Sequence, residues 1–226
     1  MQIELKYRPS STVALMRFDA SDELTTEAGS MVAMSSHLQV ETSTHKRGQG
    51  SLLKSLKRMF GGESFFLNHY KAPAAAELWL STPLPGDMIV RELNNESLIV
   101  QAGSFLACES GVEIDVGWQG FKNLFSGESL FWLKLKGRGK IVLSTYGAVI
   151  EHDVREGFVV DTGHIVAFEE GLNFSLSKAG SSWISSFLGG EGIVCKFAGQ
   201  GKLYCQSHSS PSFGQALTPH LKPIKG

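Results

Sequence analysis

"AGSMVAMSSHLQVET" at 28–42, "AGSFLACESGVEIDV" at 102–116 and "TGHIVAFEEGLNFSL" at 162–176 align without a gap, and this threefold echo decides how the chain is read. Each begins with an aligned glycine, Gly29, Gly103 and Gly163, followed four residues later by Ala33, Ala107 and Ala167. A glycine ahead of such a pattern reads as a tight turn entering a strand, and the small alanine lets another strand pack close. A second matching block follows each: "FGGESFFLNHY" from Phe60, "FSGESLFWLKL" from Phe125 and "LGGEGIVCKFA" from Leu188. After each block an alternating strand runs into a turn and a returning strand, with "KGRGK" (136–140) and "AGQGK" (198–202) read as hairpin turns. The first unit has the longer "KAPAAAE" (71–77), whose Pro73 belongs in a loop.

Units of this size are too small to close their own cores; stacked, or set about a pseudo-threefold axis, they share one. Val, Ile, Phe and Thr in short runs bounded by Gly, Ser, Asn and Asp give the punctuation of an all-β chain. The expected architecture is a β-sandwich or barrel array: a single compact domain, 1–226, of three internal repeats, about 1–92, 93–155 and 156–210, with a C-terminal tail at 211–226. No Pro/Ser-rich linker separates the units. A chain of 226 residues buries about 70–75% of its unfolded surface and needs no metal or disulfide to support its core.

The formal net charge of −1 leaves no global field to recruit nucleic acid or an anionic membrane, so any such binding has to be local. The N-terminal "MQIELKYRPSSTVALMRFD" alternates and carries Glu4, Lys6, Arg8 and Arg17, which reads as strands and not as a signal peptide. No stretch reaches the ~20 apolar residues of a membrane-spanning helix, and a cytoplasmic location is the expectation. The three cysteines, Cys108, Cys195 and Cys205, lack zinc-ligand spacing and read as buried thiols. A hairpin centred on Gln200 would set Cys195 opposite Cys205, leaving a disulfide open to a compartment that permits it.

"GGES" at 61–64 suggests a nucleophile loop, but the closing glycine of a G-x-S-x-G elbow is missing, and Gly192 replaces the serine in the third unit. Gly139-Lys140 is followed by Ile141, and Gly201-Lys202 by Leu203, so neither is a P-loop; the Gly-x-Gly pairs lack a third glycine. Glu151, His152 and Asp153 are adjacent, point to opposite faces on any strand and read as a surface turn. His69 and His164 read as satisfied polar contacts in strands. No catalytic residue, metal set or cofactor is expected.

The residues of "TEAGSMVAMSS", "FVVDTGHIVAFEEGL" and "GGEGIVCKFAGQGKLYCQS" resemble an uncharacterised bacterial and archaeal family related to the mitochondrial biogenesis protein "altered inheritance of mitochondria" 24. The resemblance spans about residues 2–208, and its most specific part is Gly190–Gly192, the following strand, a Gly-x-Gly turn and a second strand. It implies three copies of a shortened double-stranded β-helix, like subunits of the trp RNA-binding attenuation protein, and assembly into rings, with a trimer favoured. It implies no enzyme activity; the eukaryotic relatives are linked to inner-membrane organisation.

Short apolar segments precede each Gly-Glu turn: Leu53, Leu56 and Phe60 in the first unit, Trp118, Phe121 and Phe125 in the second, Trp183 and Phe187 in the third. Their spacing fits a helical turn with one apolar face. Such faces either plug the core of each unit or emerge together as an apolar, partly basic rim for a neighbouring subunit, a protein partner or a membrane surface. Glu63, Glu128 and Glu191 recur with the turns and define a candidate inter-repeat polar site, where converging carboxylates would raise one another's pKa. The sequence therefore points to a noncatalytic, ring-forming interaction or scaffold protein. A small-ligand binder or enzyme with a site between repeats is the alternative. RNA binding is the third reading, resting on the fold analogy and on Lys136, Arg138, Lys140 and Lys202, and a neutral chain disfavours it.

Overall fold

The computed structural model describes residues 1–43, 66–116, 132–178 and 193–221. The alternating runs form strands throughout: β1 (Gln2–Lys6), β2 (Val13–Phe18), β3 (Glu23–Glu27), β4 (Met31–Met34), β5 (Gln39–Ser43), β6 (Leu67–Lys71) and β7 (Ala76–Leu80). The middle of the chain carries β8 (Met88–Gln101), β9 (Phe105–Glu109), β10 (Val112–Asp115) and β11 (Trp132–Ser144). The last part carries β12 (Val149–Val154), β13 (Phe158–Asp161), β14 (Ile165–Glu169), β15 (Asn173–Lys178), β16 (Ile193–Ala198) and β17 (Gly201–Gln206). Among the described residues a short helix, α1 (Ser210–Leu217), follows, capped by the Ser209 hydroxyl. The fold is all-β, as the sequence indicates, with every strand pair antiparallel.

Among the described residues the strands form three sheets. The first has the order β1-β2-β7-β4; the second runs β12-β17-β14-β8-β11-β9-β3-β6-β5, with β10 also on β11; the third is β13-β16-β15. In the first part of the chain β7 lies between β2 and β4, and β6 lies between β3 and β5. In the last part β17 lies between β12 and β14, and β16 between β13 and β15. In the middle, one long strand does both jobs: the second half of β11 pairs β8 and β9, and its first half pairs β8 and β10. A register shift sits beside the aligned alanine each time, between Met31 and Ala33, opposite Phe105 and Ala107, and between Ile165 and Ala167. One more bond recurs: the N–H groups of Glu77, Lys140 and Lys202 donate to Ser35 Oγ, Glu109 Oε2 and Glu169 Oε2.

"KGRGK" is therefore not a hairpin turn. β11 runs unbroken through it, with a bulge between Lys136 and Arg138. Gly137 and Gly139 take φ of +130° and +147°, and a Cβ on Gly137 would lie 2.3 Å from the Gly111 carbonyl oxygen. The glycines kink a continuous strand where another backbone crosses it. "AGQG" is not a hairpin either: β16 and β17 belong to different sheets, and Gly199 at φ +97° turns the corner between them. "EHDVR" is mostly strand, with Glu151, His152 and Asp153 inside β12. Of the three aligned glycines only Gly29 has a positive φ, +90°; Gly103 and Gly163 sit in 3-10 turns.

Three apolar clusters fill the interior, and each draws on two neighbouring stretches of chain. The first contains Leu24, Tyr70 and Leu78 together with Leu106 and Val142. The second contains Phe105, Leu133 and Leu143 together with Val166 and Tyr204. The third contains Phe168, Phe197 and Leu203 together with Ile99 and Trp132. β9 and β14 are thus buried on both faces: Phe105 and Cys108 face the second core while Leu106 faces the first, and Ile165 and Phe168 face the third while Val166 faces the second.

The loops that join the stretches stack on one another. Gly86 bridges Gly147. The N–H groups of Asp87 and Thr145 donate to the carbonyls of Gly147 and Asp87, and that of Ser207 to Ala148. Asp87, buried at 5% exposure, accepts from Arg8 Nη2 at 2.8 Å, Thr12 Oγ1 at 2.7 Å and its neighbour's N–H at 2.8 Å. Burial pushes its pKa up, but the bonds from Arg8, Thr12 and the Met88 N–H outweigh that, and the carboxyl is held below its usual range. Glu27, at the end of β3, has no such compensation, and burial pushes it up to about 7.

A Cβ on Gly86 would lie 1.9 Å from the Thr145 carbonyl oxygen and 2.8 Å from the Gly147 nitrogen, both backbone; Gly86→Ala is expected to cost about 3 kcal/mol in urea unfolding. Gly157→Ala, where nothing lies within 4 Å, should stay within about 0.5 kcal/mol. Glu27 holds its proton in the folded state through a range in which the unfolded chain releases it, so its folded pKa exceeds its unfolded one. Stability from this group is complete below pH ~4.5 and lost as pH rises to ~7. Glu27→Gln should therefore gain on the parent protein between those values, reaching on the order of 2 kcal/mol at pH 8 after allowance for partial exposure.

Candidate functional site

The rim residues Leu53, Leu56, Phe60, Trp118, Phe121, Phe125, Trp183 and Phe187 and the carboxylates Glu63, Glu128 and Glu191 lie outside the described residues. The strands that flank them are described, and in each case the two are paired: Ser43 with Leu67, Asp115 with Lys134, and Lys178 with Ile193.

A cavity of about 260 Å³ lies among β3, β5, β6 and β10. Its polar wall is Glu23, Thr25, Gln39, Glu41, His69, Lys71 and Glu113, and its floor includes Leu24, Leu67, Val112 and Ile114. Strand pairing assembles it, since His69 on β6 faces Thr25 on one side and Glu41 on the other. His69 Nδ1 is 3.0 Å from Thr25 Oγ1 and Nε2 is 2.8 Å from Ser43 Oγ, so both ring nitrogens are engaged. Lys71 Nζ is 3.4 Å from Glu23. The ring is thus held in place between β3 and β5, and the wall offers polar groups over an apolar floor, as small-molecule sites do. Sequence reasoning missed the cavity because its groups come together through cross-strand register rather than spacing. Only the satisfied contact of His69 was legible beforehand.

The remaining candidates are occupied. On β12, Glu151 and Asp153 lie 3.8 and 3.7 Å from Lys202 Nζ, while His152 projects from the other face and stacks on Phe158 with ring centroids 3.9 Å apart. His164 Nδ1 meets the Gln206 carbonyl at 2.8 Å. Lys136, Arg138 and Lys140 lie inside β11 and Lys202 inside β17, not at hairpin tips, and Lys140 Nζ reaches the Met1 carbonyl at 3.4 Å. Cys108, Cys195 and Cys205 are free and buried, and burial pushes each thiol up to about 12, so none is a nucleophile at neutral pH. Among the described residues no group of three His, Cys, Asp or Glu side chains is placed to hold a metal ion, and no helix is long and apolar enough to cross a membrane.

The chain is 26% identical over 201 residues to the uncharacterized protein M6_Spy0233 of Streptococcus pyogenes serotype M6, covering 86% of this chain and 81% of that one. It superposes on the crystal structure of protein SPYM3_0169 from Streptococcus pyogenes with a TM-score of 0.81 at 22% identity, covering 97% of this chain and 99% of that one, which shows a shared fold. The family model described as Mitochondrial biogenesis AIM24 matches residues 3–208. From within its first strand, β1, to just past its final one, β17, the chain belongs to the AIM24 family.

Proposed function

We propose that this protein is a noncatalytic interaction scaffold that assembles with copies of itself into a ring, a trimer, and acts at a membrane surface or on a partner protein there. One observation carries the reading: the same pairing scheme runs through the chain three times and leaves incomplete sheets at both ends. Three strands of the first part, β5-β6-β3, join β9-β11-β8; three of the middle, β10-β11-β8, join β14-β17-β12. The sheets β1-β2-β7-β4 and β13-β16-β15 have no such complement among the described residues. The scheme supports three copies of one unit on the shortened double-stranded β-helix plan of the trp RNA-binding attenuation protein. β8 runs unbroken across residues 92 and 93, which supports joints in the loops at 81–87 and 145–148. The unpaired edges support self-association.

The membrane role rests on the family's description and on the apolar segments that recur between paired strands. Aromatic and aliphatic side chains flanked by Lys54, Lys57 and Arg58 have the composition of an interfacial surface. Analytical ultracentrifugation should give about three times the monomer mass; a monomer at all concentrations sinks the ring. Cosedimentation with anionic liposomes should fall at least tenfold in Trp118→Ser/Trp183→Ser while thermal unfolding is unchanged. Unfolding of that variant would instead place the tryptophans in the core, and unchanged liposome binding would remove them from the interaction.

The cavity beside His69 favours a second reading, a small-ligand site between the first and second units. Thermal shift against a panel of small polar metabolites, with His69→Ala as the control, decides it: no shift above about 1 °C for any compound ends that reading.

A further inference from the structure

We propose that the edge of β13 in one copy pairs antiparallel with the edge of β4 in the next, head to tail, in the register Val160 to Ala33, Val159 to Met34 and Phe158 to Ser35. This deepens the self-assembly reading above and rests on it.

The two junctions inside the chain supply the template. At the first, β3 pairs β9 with Leu24, Thr25 and Thr26 opposite Glu109, Cys108 and Ala107. At the second, β8 pairs β14 with Leu98, Ile99 and Val100 opposite Glu169, Phe168 and Ala167. Both junctions use the same positions relative to the aligned alanine. The strands in the corresponding positions at the two ends of the chain are β13 and β4. β13 pairs only β16, and β4 pairs only β7, so each keeps one ladder edge unpaired among the described residues.

Burial distinguishes the used edges from the unused ones. Every residue of Phe105–Cys108 and of Ile165–Phe168 is at most 1% exposed. On β4 all four residues are exposed, with Met31 at 44%, Val32 at 59% and Met34 at 37%; on β13, Val159 is 55% exposed. The same alternation assigns each side chain a destination. Leu106 and Val166 enter the core of the preceding stretch, and Val32 holds their position, so it enters the third core of the neighbouring copy. Ile99 reaches forward into the next core, and Val159 holds its position, so it covers the first core of the next copy. Apolar side chains on an edge that is unpaired among the described residues are otherwise an aggregation hazard, and a partner with the complementary edge removes it. β13 and β4 are different surfaces, so the contact is heterologous, and it propagates until a ring closes.

Cross-linking tests the register. Met34→Cys/Val159→Cys, oxidised under conditions in which the parent protein with its three buried thiols does not cross-link, should form covalent oligomers up to the ring. Met34→Cys alone and Val159→Cys alone should stay uncross-linked, and their mixture should stop at a covalent dimer. Val32→Lys, an exposed position in the single chain, should shift the protein to monomer in ultracentrifugation with its β-sheet circular dichroism retained and its thermal midpoint lowered only by the association lost. Self-cross-linking of either single variant would show an edge paired with its own copy and overturn the head-to-tail contact. Oligomers without a cross-link in the double variant would overturn this junction and leave self-assembly standing on another surface. A parent protein that is monomeric throughout would remove both.

Discussion

The structure depends on one constraint: a strand buried on both faces needs two cores, and no single stretch of this chain provides them. β9 lies between the first and second clusters and β14 between the second and third. With apolar burial worth about 25 cal/mol per Å², side chains such as Phe105, Leu106, Val166 and Phe168 stabilise the fold only when the neighbouring stretch is already in place. Stability is therefore shared across the joints, which accounts for the backbone zipper between the loops and for the buried carboxylate of Asp87, held by the exposed Arg8 and the buried Thr12 where those loops meet.

The middle stretch, flanked on both sides, shows what that sharing does to the backbone. Its two longest strands are the 14-residue β8 and the 13-residue β11, which pair with each other along nearly their whole length. In the first and last stretches the same corner is a loop: residues 72–75 separate β6 from β7, and 199–200 separate β16 from β17. Asn95 at φ +73° and Gly137 at φ +130° are what remains of the corner in the middle. Continuous strands tie the two halves of the large sheet rigidly together.

Much of this was legible in the sequence, and the parts that were not share a cause. Strand content, the free state of buried thiols and the contact of His69 follow from local pattern. Gly-x-Gly does not distinguish a hairpin from a kinked strand, because both need glycine at positive φ; what decides is the backbone crossing above it, here Gly111, which is remote in sequence from Gly137 and Gly139. The same limit hid the cavity, whose wall exists only once Thr25, His69 and Glu41 stand side by side on three strands. Asp87 and Glu27 illustrate it for charge: two acids with opposite shifts, separated by whether an arginine from a distant segment arrives.

The cysteines turn the layered interior into something that can be timed. Cys108 belongs to the second core, and Cys195 and Cys205 to the third. Each is shielded from reagent and kept protonated by burial, so alkylation at each sulfur waits for the opening of its own layer. Equal labelling rates at the three sites would mean that the layers come apart as one body; faster labelling of Cys195 and Cys205 would mean that the chain frays from its C-terminal end.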